Sequence, residues 1–399
     1  MLFPVFSLQI SAPMQVTKLK SLVVSLLLVF TLSCNSSVNL WGKKTAHEIY
    51  ADKIEKTTSG QQWITVSKQT LETPHSIQLP YSHFGYFPDG QARALTLEFT
   101  ARQGERIIID LKKNGQESLL VYADLFEKKG TGISHIGSAD TTQSQLSLDV
   151  DETSSYLLRL QPELNGTTLY NLSISVAPSL FFPVAGAKAK AGSFWGDDRD
   201  AGKRKHEGID IFSPKLTPVV AAADGYVTGV GEGGIGGKTV WMRVADKKIH
   251  LYYAHLDRQL VEQGQRVKKG DTLGLVGNTG NAKFTAPHLH FGVYNYNGAI
   301  DPWPFVNKSL KNALPVKPTD LDMHLQIKNA TTKKNNAIND EIFVPFAVTD
   351  NSYLAETTGG KIISVPFKSA KQVKNHRQGT RATEQSKIVT VDPLTNSNN

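Results

Sequence analysis

The pieces KHEGID (residues 205–210), LYYAHLD (251–257) and APHLHFGV (286–293) bring four histidines and an aspartate into one stretch of the chain. His288-Leu289-His290 places two imidazoles at i and i+2, and on an extended strand those two share a face. His206 and Asp210 have HxxxD spacing with Gly208 between them, so the chain can turn and bring an imidazole and a carboxylate to one cation. Short strands are read over 218–230, 239–244, 249–255, 272–276 and 288–294, with glycines such as Gly233, Gly264, Gly277 and Gly280 at their corners. The expected fold of this segment is a small, curled β domain that is nearly free of helix. Two glycine-bearing loops stand out: 229–237, expected to border a groove, and 277–281, which leads towards the HLH strand.

Two histidines and a carboxylate make the ligand pattern of a catalytic divalent metal, because structural zinc fills all four positions, usually with cysteine. The chain has one cysteine, Cys34, and none to spend on such a site. Three protein ligands leave a position for water, whose pKa zinc lowers towards about 7. HxxxD and HxH together supply four candidates for three places, and the surplus histidine, with His255, is free for acid–base work. Glu207 invites an HExxH reading, but residue 210 is aspartate and no helix is signalled around Gly208, so it makes a poor base of that kind. A cupin would need a glutamate shortly after HxH, where Tyr294 and Asn295 stand. His250 reads as an ordinary strand residue.

Five blocks in order, FWGDDRDAGKRKHEGIDIFSP, PVVAAADGYVTGVG, YYAHLD, VKKGDTLGLVGNTGNA and TAPHLHFGVY, resemble the lysostaphin and LytM type of zinc metalloendopeptidase, which cuts peptides of bacterial peptidoglycan. The likeness covers residues 182–310. It implies one zinc ion per chain held by His206, Asp210 and His290, with His255 and His288 catalytic, and an antiparallel sheet as the floor of a groove. It also implies peptidoglycan stem or cross-bridge peptides as substrate. Two rival readings stand beside the enzyme: a non-enzymatic activator of a cell-wall amidase, whose relatives lose metal ligands, and a wall-binding structural lipoprotein.

Of the 399 residues 40% are hydrophobic and 20% charged, ordinary material for two or three globular domains. The net charge of +8 suits an anionic neighbourhood such as the cell wall. Basic residues are not gathered on a helix with interleaved aromatics, which argues against nucleic acid. Lys18 and Lys20 precede an apolar run over 22–32 that has the form of a secretory signal, and Met14 is a candidate start. Cys34 closes that run as in a bacterial lipobox, so the expectation is an exported, lipid-anchored protein of the periplasm or outer membrane. One cysteine makes no internal disulfide.

Residues 35–60 read as a polar tether. From 61 to 178 short alternating strands such as Leu95/Leu97/Phe99 and Leu172/Ile174/Val176, with Asp89-Gly90 and Asn165-Gly166 turns, predict an antiparallel β-sandwich without helix. Its text is similar to the pre-peptidase C-terminal domains of secreted peptidases. Tyr81, His83 and Tyr86 are expected to fill a sheet edge. PVAGAKAKAGS at 183–193 reads as a linker, residues 313–391 as a separate β-rich extension, and 392–399 as a disordered tail. The whole chain is thus expected to be all-β, with the oligomeric state left open.

Overall fold

The computed structural model describes residues 44–114, 119–130, 132–142, 145–309, 311–321, 323–327, 343–357 and 360–373. The leader with Cys34, the expected strand near 388–391 and the tail lie outside the described residues. Strands dominate, as the alternation requires. Leu95, Leu97, Phe99 and Ala101 form the buried face of one strand, and Thr168, Tyr170, Leu172, Ile174 and Val176 that of another. Period-2 burial of this kind leaves each strand one apolar face, and the faces meet in a common core. One sheet runs His75–Ser76, Leu95–Ala101, Ser154–Pro162, Val121–Lys129, Gly132–Asp140; the other runs Ile362–Pro366, Ser352–Glu356, Pro345–Val348, Tyr81–Phe87, Thr168–Pro178, Glu105–Asn114, Gln145–Asp149.

Four expectations are corrected here. Residues 46–72 are two helices, α1 (Ala46–Ile54) and α2 (Thr58–Glu72), in place of the tether and the first strands. Thr45 and Glu48 close a reciprocal capping box on α1. The buried stripe of α2 is Gly60, Trp63, Ser67 and Thr70, which has helical spacing but only one large apolar side chain, so no hydrophobic periodicity marks it. Trp63 is fully buried and donates its Nε1–H to the Pro162 carbonyl at 2.7 Å. The helices cover the outer face of Ser154–Pro162, where buried Arg159 donates to Ser67 Oγ at 2.7 Å and to Asp124 at 2.6 Å.

Residues 313–391 are not a separate extension. Phe84 pairs with Val348 and Gly85 with Ala347, so the strands after residue 343 complete the sandwich, and Phe346, Ala347 and Leu354 enter its core. Tyr81–Phe87 is therefore an interior strand, and His83 is fully buried between the hydroxyls of Tyr81 and Tyr170, each at 3.0 Å. The expected linker is part of the second domain: Phe182, Val184 and Ala189 are buried in its core, Val220 N–H donates to the Pro183 carbonyl, and Lys190–Ser193 pairs with Ile209–Phe212. Small residues suit this tight packing, which is why the run resembles linker composition.

The second domain hangs between two strands of the first. Val176 and Lys311 exchange main-chain bonds, and Leu180 N–H donates to the Phe305 carbonyl at 2.8 Å. Lys247 Nζ reaches Asp149 at 2.7 Å, and Asp149 also accepts from Arg106. The main sheet runs Lys190–Ser193, Ile209–Phe212, His288–Asn295, His250–Gln259, Gly237–Val244, Gly225–Gly233, Arg266–Val267. One face buries Ile209, Ile211, Leu289, Phe291, Val293, Leu251, Tyr253, Val240 and Met242. On the other, cross-strand rows set Asp210 beside His290, then Gly292 beside Tyr252 beside Trp241, then Tyr294 beside His250.

Candidate metal centre

Strand register gathers the centre. Asp210 and His290 are direct cross-strand partners, and His288 faces Phe212 one row on. His206 precedes the Ile209–Phe212 strand, and Gly208 lets the chain pass under the His290 ring: a Cβ there would lie 2.6 Å from His290 Cε1 and 2.7 Å from the Phe291 carbonyl oxygen. His206 Nε2, Asp210 Oδ1 and His290 Nδ1 converge, with separations of 3.0 Å between the two nitrogens and 3.1 Å from each to the oxygen. The His206 Nδ1–H donates to the Phe194 carbonyl at 2.9 Å, so its Nε2 carries an unshared pair. Two ring nitrogens and a carboxylate oxygen thus converge from three directions on one point. The donor set fits a divalent cation with N and O ligands. Among the described residues these three form the group able to hold a metal ion.

His255 reaches the same face by a departure from alternation. Ala254 and His255 together stand opposite the single residue Thr239, and His255 has φ +61°. This bulge turns the imidazole out of the core, where strict period 2 would send it. A left-handed non-glycine residue costs on the order of 1–3 kcal/mol, and here it is fixed by a bond from its own N–H to the Gly236 carbonyl at 2.8 Å and from Nδ1–H to the Thr279 carbonyl at 2.9 Å. The two glycine-bearing loops pack on each other to do this: Asn281 N–H donates to Ile235, and a Cβ on Gly237 would lie 2.4 Å from Thr279 and Gly280 atoms. His288 donates its Nδ1–H to the Ala286 carbonyl at 2.8 Å. Both rings thus have Nδ1 engaged and Nε2 turned away from those carbonyls, and their centroids lie 5.0 Å apart.

Burial raises the Asp210 carboxyl, but the approach of His206 and His290 outweighs it and holds the group well below the usual carboxylate range. Burial, reinforced by His288 and His290, pushes His255 down to about 4, and burial also lowers His290. The five residues singled out in the sequence thus lie together. His250 and Glu207 are exposed and stand outside the cluster.

Two features were not read from the sequence. Arg199 donates to the second oxygen of Asp210 at 2.9 Å; it sits in the quoted FWGDDRDAG run, but nothing in its spacing announces a partner. Trp241, Tyr252 and Tyr294 form an aromatic floor beside the centre, with ring centroids 4.4 Å apart for Trp241–Tyr252, 5.0 Å for Trp241–Tyr294 and 5.9 Å for Tyr252–His290. Tyr294 was accessible to sequence reasoning, since i+4 from His290 on a strand is the same face.

Residues 204–302, which carry this cluster on the open face of the curled sheet, match the model of peptidase family M23. The chain is 37% identical over 124 residues to an L-Ala--D-Glu endopeptidase of Bacillus subtilis, covering 28% of this chain and 38% of that one. To the peptidoglycan DD-endopeptidase ShyC of Vibrio cholerae it is 41% identical over 88 residues, covering 22% and 20%. The lysostaphin catalytic domain from Staphylococcus simulans is 33% identical, with 29% of this chain and 91% of that one covered and a TM-score of 0.27. The chain spans about a fifth to two-fifths of the length of these curated relatives.

Proposed function

We propose that the protein is a zinc-dependent endopeptidase that hydrolyses peptide bonds in peptidoglycan stems or cross-bridges. The observation that carries this reading is the convergence of His206 Nε2, Asp210 Oδ1 and His290 Nδ1 beside two histidines whose Nε2 atoms are free. The peptidoglycan endopeptidases among its relatives supply the substrate class. His206, Asp210 and His290 would hold the ion, which when bound polarises a carbonyl and makes hydroxide available near neutral pH. His255 and His288 are the acid–base pair. Each has Nδ1–H tied to a carbonyl, so each can take a proton at Nε2 from the attacking water and, as an imidazolium, donate to developing oxyanion charge. The depressed pKa of His255 keeps it neutral and able to accept a proton at pH 7.

Trp241, Tyr252 and Tyr294 line the path of an extended substrate away from His290. Export, anchoring through Cys34 and residence in the cell envelope belong to the same reading and are supported by the leader sequence. The test is release of muropeptides from purified sacculi by the zinc-loaded protein. Release of new peptide ends is expected. A protein that carries zinc but leaves every stem and bridge chemistry intact, while stimulating a partner amidase, would be an activator instead.

A further inference from the structure

Arg199 stands on a short hairpin, Asp198–Arg199 paired with Arg204–Lys205, that ends immediately before His206. Its Nη2 donates to Asp210 Oδ2 at 2.9 Å and also to Ser193 Oγ. The other oxygen, Oδ1, is the one that approaches His206 and His290. The two oxygens of this carboxylate are therefore divided between a guanidinium and the cation site. The same turn orients His206: Ser193 Oγ donates to Asp197 Oδ2 at 3.0 Å, Asp197 Oδ2 accepts the Phe194 N–H at 2.8 Å, and the Phe194 carbonyl accepts the His206 Nδ1–H.

We propose that Arg199 is a positioning residue for the metal centre: it occupies Oδ2, fixes the rotation of the Asp210 carboxylate and keeps Oδ1 turned towards His206 and His290. The inference rests on the reading that His206, Asp210 and His290 hold zinc. Two effects of the guanidinium oppose each other. Its positive charge repels a second cation nearby, whereas its planar donors hold a partly buried carboxylate at one angle, which an unassisted Asp side chain loses to rotation. The Arg199 side chain is 26% exposed and the Asp210 side chain 12%, so the pair is sheltered enough for the orienting bond to be the larger effect. Partners of this kind alter metal affinity by about 10- to 100-fold when removed.

The experiment is zinc affinity of the full chain, measured by competition with a chromogenic chelator, beside the thermal midpoint of the metal-free protein. Arg199→Gln is expected to weaken zinc binding about 10- to 100-fold, and Arg199→Lys, which keeps the charge without the fork, to restore part of that loss. Cobalt substitution should show a changed visible spectrum in Arg199→Gln, reporting altered carboxylate ligation. Unchanged or tighter zinc binding by Arg199→Gln, with only the thermal midpoint lowered, would assign Arg199 a merely structural role and overturn the inference. If Arg199→Gln does not fold, Arg199→Lys carries the test alone: zinc binding several-fold weaker than wild type supports the inference and an unaltered affinity overturns it. A wild-type chain that binds no zinc defeats the metal reading itself, an outcome distinct from a wild type that binds while the variants match it.

Discussion

Gly208→Ala tests the centre through packing alone. A Cβ at that position would stand 2.6 Å from His290 Cε1, 2.8 Å from His290 Nε2 and 2.7 Å from the Phe291 carbonyl oxygen. Ordinary contact begins near 3.4 Å, so the ring must retreat by about 0.8 Å, or the strand must move with it. Overpacking of this size costs about 1–3 kcal/mol of stability, and a displacement near 1 Å in a catalytic constellation costs about 10²-fold in rate. The expected variant is folded, unfolds at lower urea, binds zinc more weakly and releases muropeptides about 10²-fold more slowly. Gly229→Ala is the control, because a Cβ there meets only Trp241 atoms at 3.8 and 3.9 Å; it should keep both zinc and rate. Zinc content by elemental analysis and muropeptide release by chromatography are read on the same preparations. If Gly208→Ala binds zinc and cuts like the wild type, His290 does not sit over Gly208 as described, and the ligand assignment falls with it.

His288→Ala and His255→Ala should each retain zinc and lose about 10²- to 10⁴-fold in cleavage rate, whereas His290→Ala should lose both; wild-type rates in the first two, from the same muropeptide assay, would refute the acid–base roles. Burial holds His83 down to about 3. Below pH 6.5 the unfolded chain therefore binds a proton that the folded one refuses, and the stability present above that pH is lost at about 1.4 kcal/mol per unit down to about pH 3. Urea midpoints measured from pH 7.5 to 4 should fall, and fall less steeply in His83→Gln; parallel curves would remove His83 as a source. Cys34→Ala should move the mature protein from the membrane fraction to the soluble one, as read by fractionation and immunoblot, and an unchanged distribution would exclude the lipid anchor.

The five residues at the centre were legible because metal and proton chemistry restrict residue types and spacing: HLH on a strand, HxxxD around a glycine, and a histidine between them. What spacing could not supply was the route by which His255 reaches its neighbours, since alternation places it in the core and only a bulge with φ +61° reverses that. The sandwich was visible in Leu95/Leu97/Phe99 and Leu172/Ile174/Val176, yet its last strands were not, because pairing of Phe84 with Val348 joins residues with a whole domain between them. The helices stayed hidden for a local reason. Gly60, Ser67 and Thr70 lie in the buried stripe of α2 and carry no hydrophobic signal. Small buried residues misled again at 183–193, where composition suited a linker and packing made it core.

The return of the chain to Tyr81–Phe87 through Pro345–Val348 imposes an order of assembly on synthesis. Until residue 345 has been made, the interior strand has one side paired to Thr168–Pro178 and the other open, an unpaired edge able to recruit a strand from a neighbouring molecule. At translation rates of 5–20 residues per second, the stretch between those two partners, from residue 178 to residue 345, takes roughly 8–33 s to emerge. The whole peptidase segment emerges within that interval, ahead of the strands that close the sandwich beneath it.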